Sequence, residues 1–284
     1  MCRWMVWVIV AISSVTGGPV RPQEQEPSDS ETARAISFDL ASDFLVVVEG
    51  QAGSLRGLKF IVDTGATRSV IDRKVAARLR LKRHSGRIMN FDRYIPGEWA
   101  EVPELRMGPL RAQDIRVTVV NLAEYSEFAK SIDGIIGLDL LTRSEKFTID
   151  YANKRLYFEP LASGTHHPVP GCFVVPIVVQ GFAMRLGVDT GSSDILLYGD
   201  RLKKRPVKVR TEGEPKTVMM GRLKGEQVTL PGVRIGGREE AITAVMIDGN
   251  DERIMAGLDG YLGVASLHAK RIEFDFARML LHWE

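Results

Sequence analysis

The sequence predicts a mainly β protein built as two similar lobes. Three observations carry that expectation. Short β-branched runs bounded by glycine, proline and acidic residues recur along the chain. The stretch Phe60-Ile61-Val62-Asp63-Thr64-Gly65-Ala66 returns as Leu186-Gly187-Val188-Asp189-Thr190-Gly191-Ser192. Asp133-Gly134-Ile135-Ile136-Gly137 returns as Asp259-Gly260-Tyr261-Leu262-Gly263. In each half the closing glycine lies 74 residues beyond the aspartate, from 63 to 137 and from 189 to 263, so the two copies share one register of 126. A period that long indicates a duplicated domain and not a solenoid.

Taken in order, the chain opens with Arg3, an apolar run over 4–12, and the small residues Ser13, Ser14, Thr16, Gly17 and Gly18. This reads as a signal peptide over 1–18. The run is short for a bilayer span, and the lack of an Ala-x-Ala triplet keeps an uncleaved N-terminal anchor as the alternative. The expected location is outside the cytoplasm, periplasmic or secreted, or tethered there through the N-terminus. Residues 19–36, rich in Pro, Gln, Glu and Ser, read as a disordered linker.

The first lobe is expected over 37–161. Runs at 44–48 and 57–62 form a hairpin into Asp63, 69–71 is a return strand, and Asp72 caps a short helix over 73–79. Turns at Pro96-Gly97 and Gly108-Pro109 punctuate the strands that follow. A Gly- and Pro-rich linker spans 162–171, and the second lobe, 172–284, repeats the order with runs at 173–179, 184–188 and 195–198. The lobe ends rhyme as well, 147–151 with 272–276, offset by 125.

The net charge of +2 over 284 residues gives no reason to expect a nucleic acid or an acidic surface as partner. The basic run 201–210 has no interleaved aromatics for base stacking and reads as a solvated face. Of two cysteines, Cys2 lies in the signal, so the mature chain has no disulfide partner for Cys172, which reads as a buried small hydrophobe. His166 and His167 sit beside prolines in the linker, and His84, His268 and His282 show no ligand spacing. No metal and no cofactor are expected.

A carboxylate at the end of an apolar strand is costly unless donors surround it or a second group shares its proton. The chain carries two, Asp63 and Asp189, which suggests that they meet. The duplicated Asp-Thr-Gly, each followed about seventy residues later by two hydrophobic residues and a glycine, resembles the lobe signature shared by retropepsin-like and pepsin-like aspartic proteases. The resemblance covers roughly residues 38–284. It implies a bilobal fold of two homologous β-barrel-like lobes around a cleft, with Asp63 and Asp189 catalytic and Thr64, Gly65, Thr190, Gly191 and Ser192 supporting them. It also implies that Ile135-Ile136-Gly137 and Tyr261-Leu262-Gly263 pack under the catalytic loops. Tyr261 then needs a partner for its hydroxyl.

The expected activity is that of an aspartic-type endopeptidase, hydrolysing peptide bonds with water activated by the two carboxyls. One alternative is a non-catalytic peptide-binding protein that keeps the fold. Another pairs each lobe with its counterpart in a second chain. A monomer suffices for the site, with a dimer left open, and a peptide or protein is the expected substrate. After the glycines the copies differ, Ala66 against Ser192. If the Ser192 hydroxyl bonds the outer oxygen of Asp189, the shared proton should stay mainly on Asp63. A substrate flap is expected over 88–102, turning at Pro96-Gly97, with Tyr94 or Trp99 covering substrate or else packed on the lobe as in an ordinary hairpin. Its counterpart in the second lobe is 210–227.

Overall fold

The structure is a computed structural model that describes residues 35–90, 93–124, 128–161, 169, 171–218, 223–235, 238–247 and 257–284. The expected signal peptide, nearly all of the 19–36 linker, and His166 and His167 lie outside the described residues.

The first half contributes β1 (Ala35–Ser37), β2 (Asp39–Ala41), β3 (Leu45–Ala52), β4 (Leu55–Val62), β5 (Val70–Asp72), α1 (Arg73–Arg78), β6 (His84–Asn90), β7 (Arg93–Met107), β8 (Leu110–Val120), β9 (Gly134–Ile136), α2 (Leu138–Leu141), β10 (Ser144–Asp150) and β11 (Arg155–Pro160). The second contributes β12 (Val174–Val179), β13 (Phe182–Asp189), β14 (Ile195–Tyr198), α3 (Gly199–Lys203), β15 (Arg210–Val218), β16 (Leu223–Ile235), β17 (Arg238–Ile247), β18 (Gly260–Gly263), β19 (Arg271–Asp275) and β20 (Leu280–Trp283). The protein is mainly β and bilobal.

One strand order serves both lobes. The first sheet runs β2-β3-β4-β9-β5-β8-β7-β6 and closes on itself where β3 meets β7. The second runs β12-β13-β18-β14-β17-β16-β15 and closes where β12 meets β16. Closure removes most exposed sheet edges. It also explains the buried sides of the strands: Val46, Val48, Leu58, Phe60, Val62, Ile71, Ala100, Val102 and Val117 fill the first barrel, and Val175, Ile177, Leu186, Val188, Ile195, Leu197, Val228 and Leu230 fill the second. Asp72 caps α1 as its sequence position suggests, accepting from the Lys74 N–H at 2.7 Å. Its other oxygen takes the Leu122 N–H.

Pro96 and Gly97 are not a turn. They lie inside β7, opposite Arg87 and Gly86 of β6, and Asn90 faces Arg93, which puts the reversal of the hairpin between those two residues. β8 pairs with β7 only from Glu98 onward, so the far side of β7 carries no ladder at Pro96. A residue without an N–H is tolerated there.

A third sheet, β1-β11-β10-β19-β20, is built from both halves of the chain. At its centre β10 and β19 run antiparallel, with Phe147 opposite Phe274, Thr148 opposite Glu273 and Ile149 opposite Ile272. Phe147, Phe158, Phe173, Phe274 and Phe276 stack edge and face beneath it at centroid separations from 5.3 to 6.3 Å. This apolar layer joins the lobes.

Candidate active site

Each Asp-Thr-Gly follows the last residues of a barrel strand, β4 in one lobe and β13 in the other. The strand end is held by a parallel neighbour: Val62 pairs with Ile136 of β9, and Asp189 with Gly263 of β18. The Asp63 N–H donates to the Ile136 carbonyl at 3.0 Å and the Leu138 N–H to the Ala66 carbonyl at 2.8 Å. In the second lobe the Gly263 N–H donates to the Asp194 carbonyl at 3.1 Å. The hydrophobic-hydrophobic-glycine segments therefore fix the paths of the two loops.

The loops meet through their threonines. The Thr64 hydroxyl donates to the Val188 carbonyl at 2.9 Å and accepts the Thr190 N–H at 3.1 Å. The Thr190 hydroxyl donates to the Val62 carbonyl at 2.8 Å and accepts the Thr64 N–H at 2.9 Å. Both threonines are buried, and each hydroxyl uses both donor and acceptor capacity. This reciprocal lock sets the two aspartates face to face within one chain.

The carboxyls hydrogen-bond to each other. Asp63 Oδ1 also takes the Gly65 N–H at 2.8 Å, and Asp189 Oδ1 the Gly191 N–H at 2.8 Å. Glycine is required at both places by close approach. A Cβ on Gly65 would stand 2.7 Å from the Asp189 carboxyl carbon, and one on Gly191 2.9 Å from that of Asp63.

Electrostatically the pair is unequal. Burial raises both carboxyls above the ordinary range, and Asp189 is 6% exposed where Asp63 is half-buried. For Asp189 the adjacent charge and hydrogen bond of Asp63 push further upward, and only the Gly191 N–H opposes them. For Asp63 the hydrogen bond with Asp189 and the Gly65 and Ala66 N–H groups pull back down. Two buried carboxyls in contact cannot both ionise comfortably, so they share a proton and titrate as a pair. The expectation that the proton stays mainly on Asp63 assumed a bond from Ser192 to Asp189, and that bond is not formed. Instead the Ser192 hydroxyl donates to the Asp194 carbonyl at 3.2 Å and accepts the Asp194 N–H at 3.3 Å, bracing its own loop.

Asp63, Thr64, Gly65, Asp189, Thr190 and Gly191 thus come together. Tyr94 stands on the β6–β7 hairpin, 46% exposed, with the Arg87 guanidinium 5.1 Å from its ring centre. The Trp99 ring is held between His84, stacked at 4.2 Å, and the Arg116 guanidinium at 4.1 Å. Tyr261 is buried, its ring edge-on to that of Tyr198 at a centroid separation of 6.4 Å, and burial pushes its phenol up. Cys172 packs against the Tyr198 and Tyr261 cluster, and burial with the two nearby carboxylates pushes its thiol up to about 12, so no thiolate is available at neutral pH. Among the described residues no group of three His, Cys, Asp or Glu side chains could hold a metal ion.

Two carboxylates in this neighbourhood escaped the sequence reading. Asp139 of α2 accepts the Ser69 N–H at 2.9 Å and the Ser69 hydroxyl at 2.6 Å, and that hydroxyl accepts the Gly137 N–H. Burial pushes Asp139 up, with the Ser69 bonds and Arg68 pulling back. Asp194 pairs with Lys216 of β15. Neither residue has a counterpart of its own type at the 126 register, which is the signal that a comparison of the two halves could have used.

Residues 46–140 match the family model of the aspartyl proteases. The matched stretch lies within the first lobe and covers about a third of the chain. Among solved structures, a retropepsin-like aspartic protease from Rickettsia conorii is similar at 19% identity, with 44% of this chain and 89% of that one covered and a TM-score of 0.32. Conglutin gamma, a basic 7S globulin from lupine seeds, is similar at 8% identity, with 88% and 94% covered and a TM-score of 0.45. No curated protein matches the chain in sequence.

Proposed function

We propose that the chain is an aspartic-type endopeptidase, with Asp63 and Asp189 as its catalytic pair. The observation that carries this reading is the hydrogen-bonded carboxyl pair with unequal surroundings, held by the Thr64 and Thr190 lock. A general base must be ionised and a general acid protonated at the same pH. Ionised Asp63 takes a proton from a water lying between the carboxyls, and protonated Asp189 donates to the scissile carbonyl oxygen. The water oxygen adds to the carbonyl carbon, and collapse of the tetrahedral intermediate expels the amine, which takes the proton that Asp63 now carries, while the diol hydroxyl returns a proton to Asp189 as the carbonyl re-forms. No covalent enzyme intermediate forms. A peptide lying between the β6–β7 and β15–β16 hairpins is the substrate, with Tyr94 on the first hairpin beside it. The duplicated lobe makes one chain sufficient, and the signal at 1–18 sends it out of the cytoplasm.

Cleavage of a peptide library by wild type, Asp63→Asn and Asp189→Asn tests the reading. Each substitution should lower the rate by about 10²–10⁴, the range that positioned acid–base groups supply. Cleavage that survives in either variant at the wild-type rate would overturn it, as would a wild type without cleavage that still binds the peptides.

A further inference from the structure

The two catalytic loops are braced in different ways. In the first lobe the loop after Asp63 is held from the core: Asp139 of α2 grips both the N–H and the hydroxyl of Ser69, and the hydroxyl reaches the Gly137 N–H. At the 126 register the second lobe has Ile195 where Ser69 stands and Ala265 where Asp139 stands. Neither can make that grip. The second lobe has a different device. Asp194, at the register position of Arg68, pairs with Lys216 at 2.5 Å through Oδ1, and its Oδ2 takes the Ser193 hydroxyl at 2.9 Å. Its backbone is tied to the Ser192 hydroxyl and to the Gly263 N–H. Lys216 belongs to β15, paired with Gly225 of β16, so this brace comes from the hairpin. The first lobe has Asn90 at the register position of Lys216, and Asn90 with Arg68 cannot form such an ion pair.

We infer that Lys216 and Asp194 are positioning residues that couple the β15–β16 hairpin to the loop carrying Asp189, whereas the loop of Asp63 is set from its own core. The inference rests on the reading of Asp189 as catalytic. Its consequence is a division between the hairpins: movement of the second reaches the protonated carboxyl directly, and the first covers substrate without disturbing the ionised one. A substrate that draws the second hairpin inward completes the alignment of the acid.

Amide hydrogen exchange tests the coupling without requiring turnover. In Lys216→Met, amides of 210–218 and of 190–194 should both exchange faster, by a factor of about 2 to 5, the size that a partly exposed ion pair supports. Lys216→Arg should restore both, as should the exchanged pair Asp194→Lys with Lys216→Asp. Lys224→Met, an exposed lysine on β16, is the control and should move neither. In the cleavage assay, kcat should fall in Lys216→Met and recover in Lys216→Arg, with KM little changed. Loosening of 210–218 with 190–194 unchanged, or no change in either, would overturn the coupling. If no form of the enzyme cleaves peptides, the endopeptidase reading fails and the exchange result alone decides the coupling.

Discussion

At the residue scale, two aspartates in the same tripeptide differ because their surroundings differ. Each carboxyl takes one backbone N–H, from Gly65 or from Gly191, but Asp63 has some access to solvent and Asp189 almost none. That imbalance has a consequence for stability. A carboxyl whose folded pKa lies above its unfolded value, near 3.8, binds more protons when folded. Stability therefore falls as pH rises from about the unfolded value through the raised folded one, and the deficit is complete above it. Asp189→Asn removes the group that bears this cost and keeps a donor in its place. Urea unfolding should show Asp189→Asn more stable than wild type at neutral pH, with the difference shrinking towards zero as pH falls below the unfolded pKa. Equal stability at every pH would contradict the raised proton affinity of buried Asp189.

At the element scale, the Thr64 and Thr190 lock joins two strand ends that would otherwise leave the Val62 and Val188 carbonyls unpaired in a buried place. Thr190→Val keeps the shape but removes a donor and an acceptor, stranding the Val62 carbonyl and the Thr64 N–H. The expected loss is about 1–3 kcal/mol for each group stranded, read by urea unfolding. Activity should fall further than stability predicts, since the lock also sets the carboxyl separation. A variant that kept both would show that the lock is dispensable. These elements were legible in the sequence because each repeats: strand, Asp-Thr-Gly, return strand, supporting segment. The reversal of the first hairpin was not. Pro-Gly is a strong local turn signal, but Pro96 sits where β7 has no neighbour on its far side, and tertiary pairing fixed the turn elsewhere. The Ser192 contact and the Lys216 pair were hidden for a related reason. A hydroxyl or an ammonium on a loop or hairpin has several partners within reach, and only the fold selects one.

At the scale of the whole molecule, the shared sheet holds the lobes in the arrangement that the carboxyl pair needs, and its pairing is nearly self-complementary. Thr148 faces Glu273, its own counterpart at the offset of 125, and Phe147 and Ile149 face Phe274 and Ile272 on either side. At the ends, Lys146 faces Asp275 and Asp150 faces Arg271, the latter pair with charged groups 3.7 Å apart. If β19 were replaced by β10 from a second copy, Thr148 would face Thr148, Lys146 would face Asp150, and Phe147 would face Ile149. Opposite charges and matched apolar residues would thus survive the exchange, whereas an unpaired β10 would expose a flat apolar strand edge. Residues 35–161 produced alone should therefore dimerise through β10, with twice the chain mass in sedimentation equilibrium. Thr148→Lys, which sets two like charges opposite each other on the two-fold axis, should shift that fragment towards monomer and leave the intact chain folded, because there the introduced ammonium would meet Glu273. A fragment that stays monomeric, or a dimer indifferent to Thr148→Lys, would show that the lobes are joined by something other than this sheet.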